Sequence, residues 1–300
     1  MLPRTFRHGE FPPERLAAER EATVSVCLPA REEAATVGPI VEGLAALRER
    51  GAIDEVVVID SDSADGTAEI AARAGATVHR ESDLLGAFGP VRGKGDAMWR
   101  ALSVLRGDVV CYLDADSESF GPHFACGLVG PLVCEPGISF VKGCFRRPFR
   151  MGEMTLPHGG GRVNELMARP LLNLFYPELA GFLQPLAGEI AARGDLLERL
   201  PFATGYAIEI AHLIDAYRAV GLAGMAQVDL DVRQNRHQDL DALAPMAFAI
   251  LQAVAARLER EGRLATELPS LFLAPEAGRL AEREVELVER PPMAELRAAV

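Results

Sequence analysis

Asp114-Ala115-Asp116 follows directly on the apolar run Val109 to Leu113, so two carboxylates stand where a buried strand should end. Hard oxygen ligands at such a point suit Mg²⁺ or Mn²⁺ bridging a diphosphate, with several waters retained. By itself an Asp-x-Asp also describes a solvated strand end in an acidic chain. Two further apolar runs end in the same manner. Val24 to Leu28 runs into Pro29-Ala30-Arg31-Glu32-Glu33, and Glu55 to Ile59 runs into Asp60-Ser61-Asp62-Ser63-Ala64-Asp65-Gly66-Thr67. Part of the second segment reads as a helix cap, with Ser63 or Asp65 accepting backbone N–H bonds. Asp60 and Ser61 then remain to face a ligand. Gly93-Lys94-Gly95 opens a helical stretch, which places a cation and exposed N–H groups together at a positive helix end suited to phosphate or base. A turn carrying a solvated lysine fits the same residues. No G-x-x-x-x-G-K-[ST] phosphate loop is present, and no G-x-G-x-x-G follows the first strand.

In the second half, Arg162 follows Gly159-Gly160-Gly161. Its guanidinium can bind phosphate or carboxylate through two parallel bonds, and the glycines let a ligand approach the backbone. A surface arginine after a flexible turn is the alternative. Arg146, Arg147 and Arg150 form a basic cluster that would steer an anionic acceptor or simply line a solvated loop. Glu209 lies between Ile208 and Ile210 on an amphipathic helix, where a carboxylate without a polar partner would be costly to bury. That favours a site role.

The elements that must position these residues alternate between strand and helix over the first 114 residues. Strands are expected at Val24 to Leu28, Glu55 to Ile59, Ala76 to His79 and Asp108 to Leu113. Helices are expected at about Ala34 to Arg50, from Asp65, and at Gly95 to Leu105, and the loop Glu81 to Gly95 is long enough to carry function. The pattern predicts a doubly wound α/β sheet whose ligands bind outside the carboxyl ends of the strands. Parallel strands share a direction, so the three polar segments fall on one edge. The later chain is less regular, with strands near Ile138 to Cys144 and Met225 to Leu230. Helices follow at Val163 to Phe175, Ala207 to Val220 and about Leu240 to Glu261. The expected organisation is a leader over 1–23, an α/β half over 24–140, a less regular half over 141–240, and a helix and tail over 241–300, in one continuous unit.

With 31 Lys+Arg against 43 Asp+Glu, the formal charge of -12 argues against nucleic acid or an anionic membrane as partner. An anionic substrate must meet a local basic patch. The charged first twenty residues hold no apolar signal core. Ala242 to Leu258 comes nearest to the roughly 20 apolar residues of a span, but Gln252 and Arg257 within it point to a packed helix. Five cysteines without C-x-x-C spacing read as reduced residues of a cytoplasmic protein.

Pro29-Ala30-Arg31-Glu32-Glu33, Asp60-Ser61, Gly93-Lys94-Gly95 and Asp114-Ala115-Asp116, in this order, resemble the nucleotide-diphospho-sugar transferase fold called GT-A. The segments GGGRVNEL (Gly159 to Leu166), Leu183-Gln184-Pro185-Leu186, Gly188-Glu189, GYAIEI (Gly205 to Ile210) and Arg290-Pro291-Pro292-Met293 resemble glucosyl-3-phosphoglycerate synthases and their mannosyl-transferring relatives. The likeness runs from about Val24 to Met293, and it implies that 24–140 is the nucleotide-sugar-binding half and 141–240 the acceptor-binding half. It implies a GT-A fold with a helical C-terminal extension and a retaining transfer of glucose or mannose from UDP-glucose, GDP-glucose or GDP-mannose to the 2-hydroxyl of 3-phosphoglycerate. A homodimer and compatible-solute biosynthesis are implied with it. Residue by residue, Pro29, Ala30, Arg31, Glu33 and Ser61 would hold the nucleobase and ribose, with Lys94 and Ala115 on the donor side. Asp114 would contact ribose or sugar, and Asp116 would bind the metal. Gly161, Arg162 and Asn164 would hold the acceptor, and Glu209 would sit against the hexose. The family pattern often has Thr at Asn164 and Ser at Ala115. It also places a metal-binding histidine where an ungapped reading gives Asn235, and His237, two residues on, is the expected ligand, with a solvated loop histidine as the alternative. A nucleotidyltransferase acting on sugar phosphates and a non-catalytic nucleotide-sugar sensor are the rival readings.

Overall fold

The structure, a computed structural model, describes residues 2–146, 149–151, 154–156, 161–233, 240–264, 271–276, 279–284 and 287–298. In chain order, the first half carries strands Arg4–Arg7 (β1), Val24–Ala30 (β2), Glu55–Asp60 (β3), Thr77–Arg80 (β4), Val109–Tyr112 (β5) and Phe140–Arg146 (β6). Between them lie helices Pro13–Glu19 (α1), Val37–Glu49 (α2), Thr67–Arg73 (α3), Lys94–Ala101 (α4) and His123–Cys134 (α5). A small hairpin, Phe149–Met151 (β7) and Met154–Leu156 (β8), precedes helix Arg169–Phe175 (α6). Then come Ile190–Arg193 (β9), Gly194–Arg199 (α7), Phe202–Ala203 (β10), Ile208–Val220 (α8), Met225–Val232 (β11) and Leu240–Arg260 (α9). Strands Leu271–Glu276 (β12), Arg279–Glu284 (β13) and Glu289–Arg290 (β14) lead to helix Met293–Ala298 (α10).

Eight strands form one sheet in the order β1-β11-β6-β9-β5-β2-β3-β4. All its neighbours run parallel except β9, which lies antiparallel between β6 and β5. Along β2 and β3 successive side chains alternate between two cores, as the pleat requires. Cys27, Val57 and Ile59 join the core under α4, α8 and α9, whereas Val26, Leu28, Val56 and Val58 join the core under α2 and α5. The register sets Ala30 opposite Asp60. Leu113 N–H donates to Cys27 O at 3.0 Å and Ser61 N–H to Ala30 O at 2.9 Å. The three polar segments therefore leave the sheet side by side, as the strand pattern predicts.

Within the segment 1–23 expected as a leader, the described residues 2–23 carry a strand and a helix of the fold. Arg4–Arg7 pairs in parallel with β11 as the outermost strand, and Phe11 and Leu16 are buried in the core. Such a short polar strand carries no apolar run, so its pairing is visible only in three dimensions. The C-terminal segment is likewise tied in. Arg290 makes two 2.8 Å bonds to the buried Asp96 carboxylate and one of 2.7 Å to Phe88 O, and Trp99 Nε1 donates to Pro291 O at 2.8 Å. This strap holds the loop between β4 and α4 against the domain.

By length and composition Ala242–Arg260 is apolar enough to cross a membrane. In the fold, Ile250, Ala253, Val254 and Leu258 pack into the core, as expected of a packed helix. Arg257 donates from Nε and Nη2 to Asp215 of α8 at 3.0 and 2.5 Å, and both side chains are nearly buried. Removing one partner of a buried pair leaves an uncompensated charge. Asp215→Ala should therefore cost about 3 kcal/mol or more of stability, seen as a lower denaturant midpoint with an unchanged slope.

Candidate active site

Outside the carboxyl ends of β2, β3 and β5 lies a cavity of about 770 Å³. One wall is Pro29, Ala30, Arg31 and Glu33, with Ser61 and Asp62 beside it. The floor is Lys94 with Asp114, Ala115 and Asp116, and the far wall is Leu186, Gly188, Tyr206 and Glu209. Every donor-side residue expected from the sequence is thus gathered around one space.

The two loops of the first wall are laced together by side chains. Glu32 N–H donates to Ser63 Oγ at 2.9 Å, Ala64 N–H to Glu32 Oε1 at 2.8 Å, and Ala34 N–H to Asp65 Oδ2 at 2.9 Å. Glu33 N–H donates to Thr67 Oγ1 at 2.8 Å. Asp65 also accepts Thr67 N–H at 3.0 Å, one residue ahead of the helix cap, which is Gly66. Asp60, expected to face a ligand, is not among the residues lining the cavity. It is 2% exposed, and its Oδ2 accepts Ser63 N–H, so the turn rather than the cavity holds it. Ala115 contributes backbone: its side chain is in the core and its carbonyl accepts the Thr36 hydroxyl at 2.6 Å.

The floor is an ion cluster. Lys94 Nζ bonds Asp114 and reaches Glu209 at 3.0 Å. Arg233, fully buried directly after β11, donates from Nη2 to Asp114 at 2.9 Å and Asp116 at 2.8 Å, and its Nη1 pairs with buried Glu189. Burial alone would raise the Asp114 carboxyl, but Lys94 and Arg233 override it and hold the group well below the usual carboxylate range. The same pairing holds Lys94 well above its ordinary value despite burial. Behind this layer Lys142 is buried and donates to Ala187 O at 2.9 Å; burial pushes it down to about 8. Gly188 is required by the cluster. A Cβ there would fall on Lys94 Nζ and lie 2.5 Å from both Asp114 oxygens.

The expected acceptor residues are not part of this lining. Gly161 has a positive φ of 79°, a conformation that favours glycine, and Arg162 follows it, half-buried. Asn164 is 8% exposed, and its amide oxygen accepts Leu186 N–H at 3.2 Å. It therefore shapes the cavity wall one residue behind the surface. Arg146 pairs with Asp231, both exposed. Gly159, Gly160, Arg147, Asn235 and His237 lie outside the described residues. Sequence reasoning gave no role to Arg233, Glu189 or Lys142. A signal for Arg233 did exist: it directly follows the last strand of the sheet at the same edge as Asp114.

Residues 25–146 match the model of the family Glycosyl transferase family 2. The chain is 40% identical to the glucosyl-3-phosphoglycerate synthase of Petrotoga mobilis, over 98% of this chain and 94% of that one. It is 42% identical to the synthase of the same name from Mycolicibacterium smegmatis, over 94% and 92% of the two chains. The chain belongs to the glucosyl-3-phosphoglycerate synthase family. Solved structures agree with this membership. The crystal structure of mannosyl-3-phosphoglycerate synthase from Rubrobacter xylanophilus superposes with a TM-score of 0.90 at 50% identity, covering 98% of this chain and 96% of that one. Glucosyl-3-phosphoglycerate synthase from Mycobacterium tuberculosis, in complex with Mn²⁺, UDP-glucose and phosphoglyceric acid, superposes with a TM-score of 0.86 at 38% identity, covering 98% and 99%. The GT-A fold expected of the family is the fold observed.

The Mycobacterium tuberculosis relative is solved with Mn²⁺, and the cavity of this chain offers an oxygen donor suited to such an ion. Asp116 offers a hard oxygen donor with its side chain 44% exposed at the cavity. Among the described residues no group of three or more His, Cys, Asp or Glu could hold an ion alone. That combination fits an Mg²⁺- or Mn²⁺-like ion completed by diphosphate oxygens and water. Gly188→Ala should displace the Lys94–Asp114 pair. Misplacement on the scale of an ångström costs roughly 10²-fold in rate, so turnover should fall by about that factor while circular dichroism stays that of the folded chain.

Proposed function

We propose that this chain is a metal-dependent retaining hexosyltransferase that moves glucose or mannose from a nucleotide diphosphate sugar to the 2-hydroxyl of 3-phosphoglycerate. The observation that carries the reading is Lys94 lining a cavity whose walls are the family's donor segments, with buried Arg233 behind it on Asp114 and Asp116. In a chain with a formal charge of -12, the cations that line this cavity, Lys94 and Arg31, are what an anionic donor can meet. Relatives named for the same transfer, and one solved with Mn²⁺, UDP-glucose and phosphoglyceric acid, support donor, acceptor and ion class together.

In this reading Pro29, Ala30, Arg31, Glu33 and Ser61 hold the base and ribose. Asp116, with His237 as second protein ligand, holds the Mg²⁺ or Mn²⁺. The ion supplies positive charge to the diphosphate leaving group. Lys94 and Arg233 add fixed positive charge on the same side, already oriented by Asp114 and Glu189, so little reorganisation is needed as the leaving group develops charge. Glu209, held by Lys94, orients the hexose. The bond from the anomeric carbon to the β-phosphate oxygen breaks, the bond to the acceptor 2-oxygen forms on the same face, and the acceptor proton passes to the departing oxygen. Arg162 and the backbone at Gly161 hold the acceptor, and Asn164 fixes the wall beside it. The resemblance also supports a homodimer and a place in compatible-solute biosynthesis. All five cysteines are unbridged and four of them are buried, in keeping with a cytoplasmic setting.

The test is a matrix of nucleotide sugars against phosphorylated acids, scored for released nucleotide. Nucleotide should appear only with both substrates present, vanish in excess chelator, and accompany an α-linked product by NMR. Binding without release would make the chain a sensor, and a β-linkage would overturn same-face attack. In the same assay Arg162→Ala should raise the acceptor KM about tenfold or more, since a lost charge-assisted bond costs about 1.5–3 kcal/mol. The donor KM should stay within about twofold, because Arg162 is not among the residues lining the donor cavity.

A further inference from the structure

Glu81 begins the loop that leads from β4 to α4, and its side chain is fully buried. Its Oε2 accepts the Ser61 hydroxyl proton at 2.5 Å. Its Oε1 has no hydrogen-bond partner among the described residues. Two carboxylates, Asp96 of α4 and Asp62 after β3, face it alongside the Arg100 cation of α4. Burial pushes its pKa up to about 7. A half-satisfied carboxylate is a poor way to fill a core position, since glutamine of nearly the same volume carries no charge to desolvate. Costs of this kind collect where a site needs the group. The hydrogen bond of Glu81 runs to Ser61, and Ser61 lines the donor cavity.

A serine hydroxyl has one proton and two acceptor lone pairs. While its proton is held by an ionised Glu81, Ser61 can show the cavity only lone pairs. We propose that Glu81 is a positioning residue that fixes Ser61 as a hydrogen-bond acceptor toward the donor. The cavity then selects a nucleobase that presents a ring N–H at that edge, as uracil and guanine do, over one with a bare ring nitrogen, as in cytosine and adenine. The inference rests on the reading that Ser61 faces the base of a nucleotide sugar. Its pH dependence has a definite sign. Above about pH 7 Glu81 is ionised and Ser61 accepts. As the pH falls through that value the carboxyl gains a proton it can donate to Ser61, and the serine proton is released toward the cavity.

Calorimetric binding of UDP against CDP, and of GDP against ADP, to the full chain tests this. The wild type should favour the ring N–H partner in at least one pair by about tenfold, the scale of one unsatisfied polar group. Phosphate titration is common to both nucleotides and cancels, so the ratio should level off near pH 8, below the pH at which the ring N–H of uracil or guanine is itself lost, and shrink as the pH falls below 7. Glu81→Gln can offer Ser61 either an acceptor or a donor, so its ratio should fall to within about twofold of unity and lose the pH dependence. Ser61→Ala should abolish the ratio, and the double variant should match Ser61→Ala. A Glu81→Gln chain that keeps the wild-type ratio and profile overturns the proposal while leaving the donor site in place. Nucleotide affinities untouched by Ser61→Ala would remove Ser61 from the donor site and the proposal with it. Should Glu81→Gln fail to fold, the wild-type profile decides: a ratio without a step around pH 7 refutes the role.

Discussion

The rest of the site depends on one buried ionic arrangement: Arg233 between Asp114, Asp116 and Glu189, with Lys94 between Asp114 and Glu209. Charges removed from water are tolerated only when paired closely and hydrogen-bonded. Each member therefore fixes the place of the next. Lys94 comes from the start of α4, Asp114 and Asp116 from the end of β5, Glu189 from the residue before β9, Glu209 from the first turn of α8, and Arg233 from the end of β11. Five elements must arrive in register for the cluster to close. With Lys142 behind it, the layer holds four carboxylates (Asp114, Asp116, Glu189, Glu209) against three cations (Lys94, Lys142, Arg233), so an arriving ion and diphosphate enter a space already rich in oriented charge.

The remainder of the fold serves that closure. The parallel register of β2, β3 and β5 brings three polar segments to one edge, and side-chain bonds between the first two segments stiffen them without secondary structure. The Arg290–Asp96 bonds tie the C-terminal strap to the start of α4, two residues from Lys94. A rigid edge is what electrostatic stabilisation of a leaving group requires, because dipoles and charges that must first rotate into place lose much of their effect.

Legibility varied with how locally each element is encoded. Val24 to Leu28 and Glu55 to Ile59 are short apolar runs bounded by polar segments, and both are strands within a residue or two of their expected limits. Ile190–Arg193 is not legible in this way. It reads Ile-Ala-Ala-Arg, with alanines that have little strand preference, and becomes a central antiparallel strand only because β5 and β6 flank it. His123–Cys134 contains Gly127, Gly130 and Pro131, which weaken any helical signal. The packing explains the glycine at 130, where a Cβ would collide with the Phe11 ring.

From the sequence alone came the residue types at the strand ends, the α/β alternation and the family, because these reside in short contiguous segments. Asp114, Asp116, Lys94 and Glu209 could be singled out for the same reason. Only the tertiary structure decided who partners whom. Arg233 meets Asp114 across 119 positions and Glu209 meets Lys94 across 115, and Glu81 turns Ser61 from 20 positions away. It also decided that Asp60 closes a turn and that Asn164 supports a wall. A residue's chemistry is written in its side chain, but its charge state and the direction of its hydrogen bonds belong to neighbours that long-range packing brings to it.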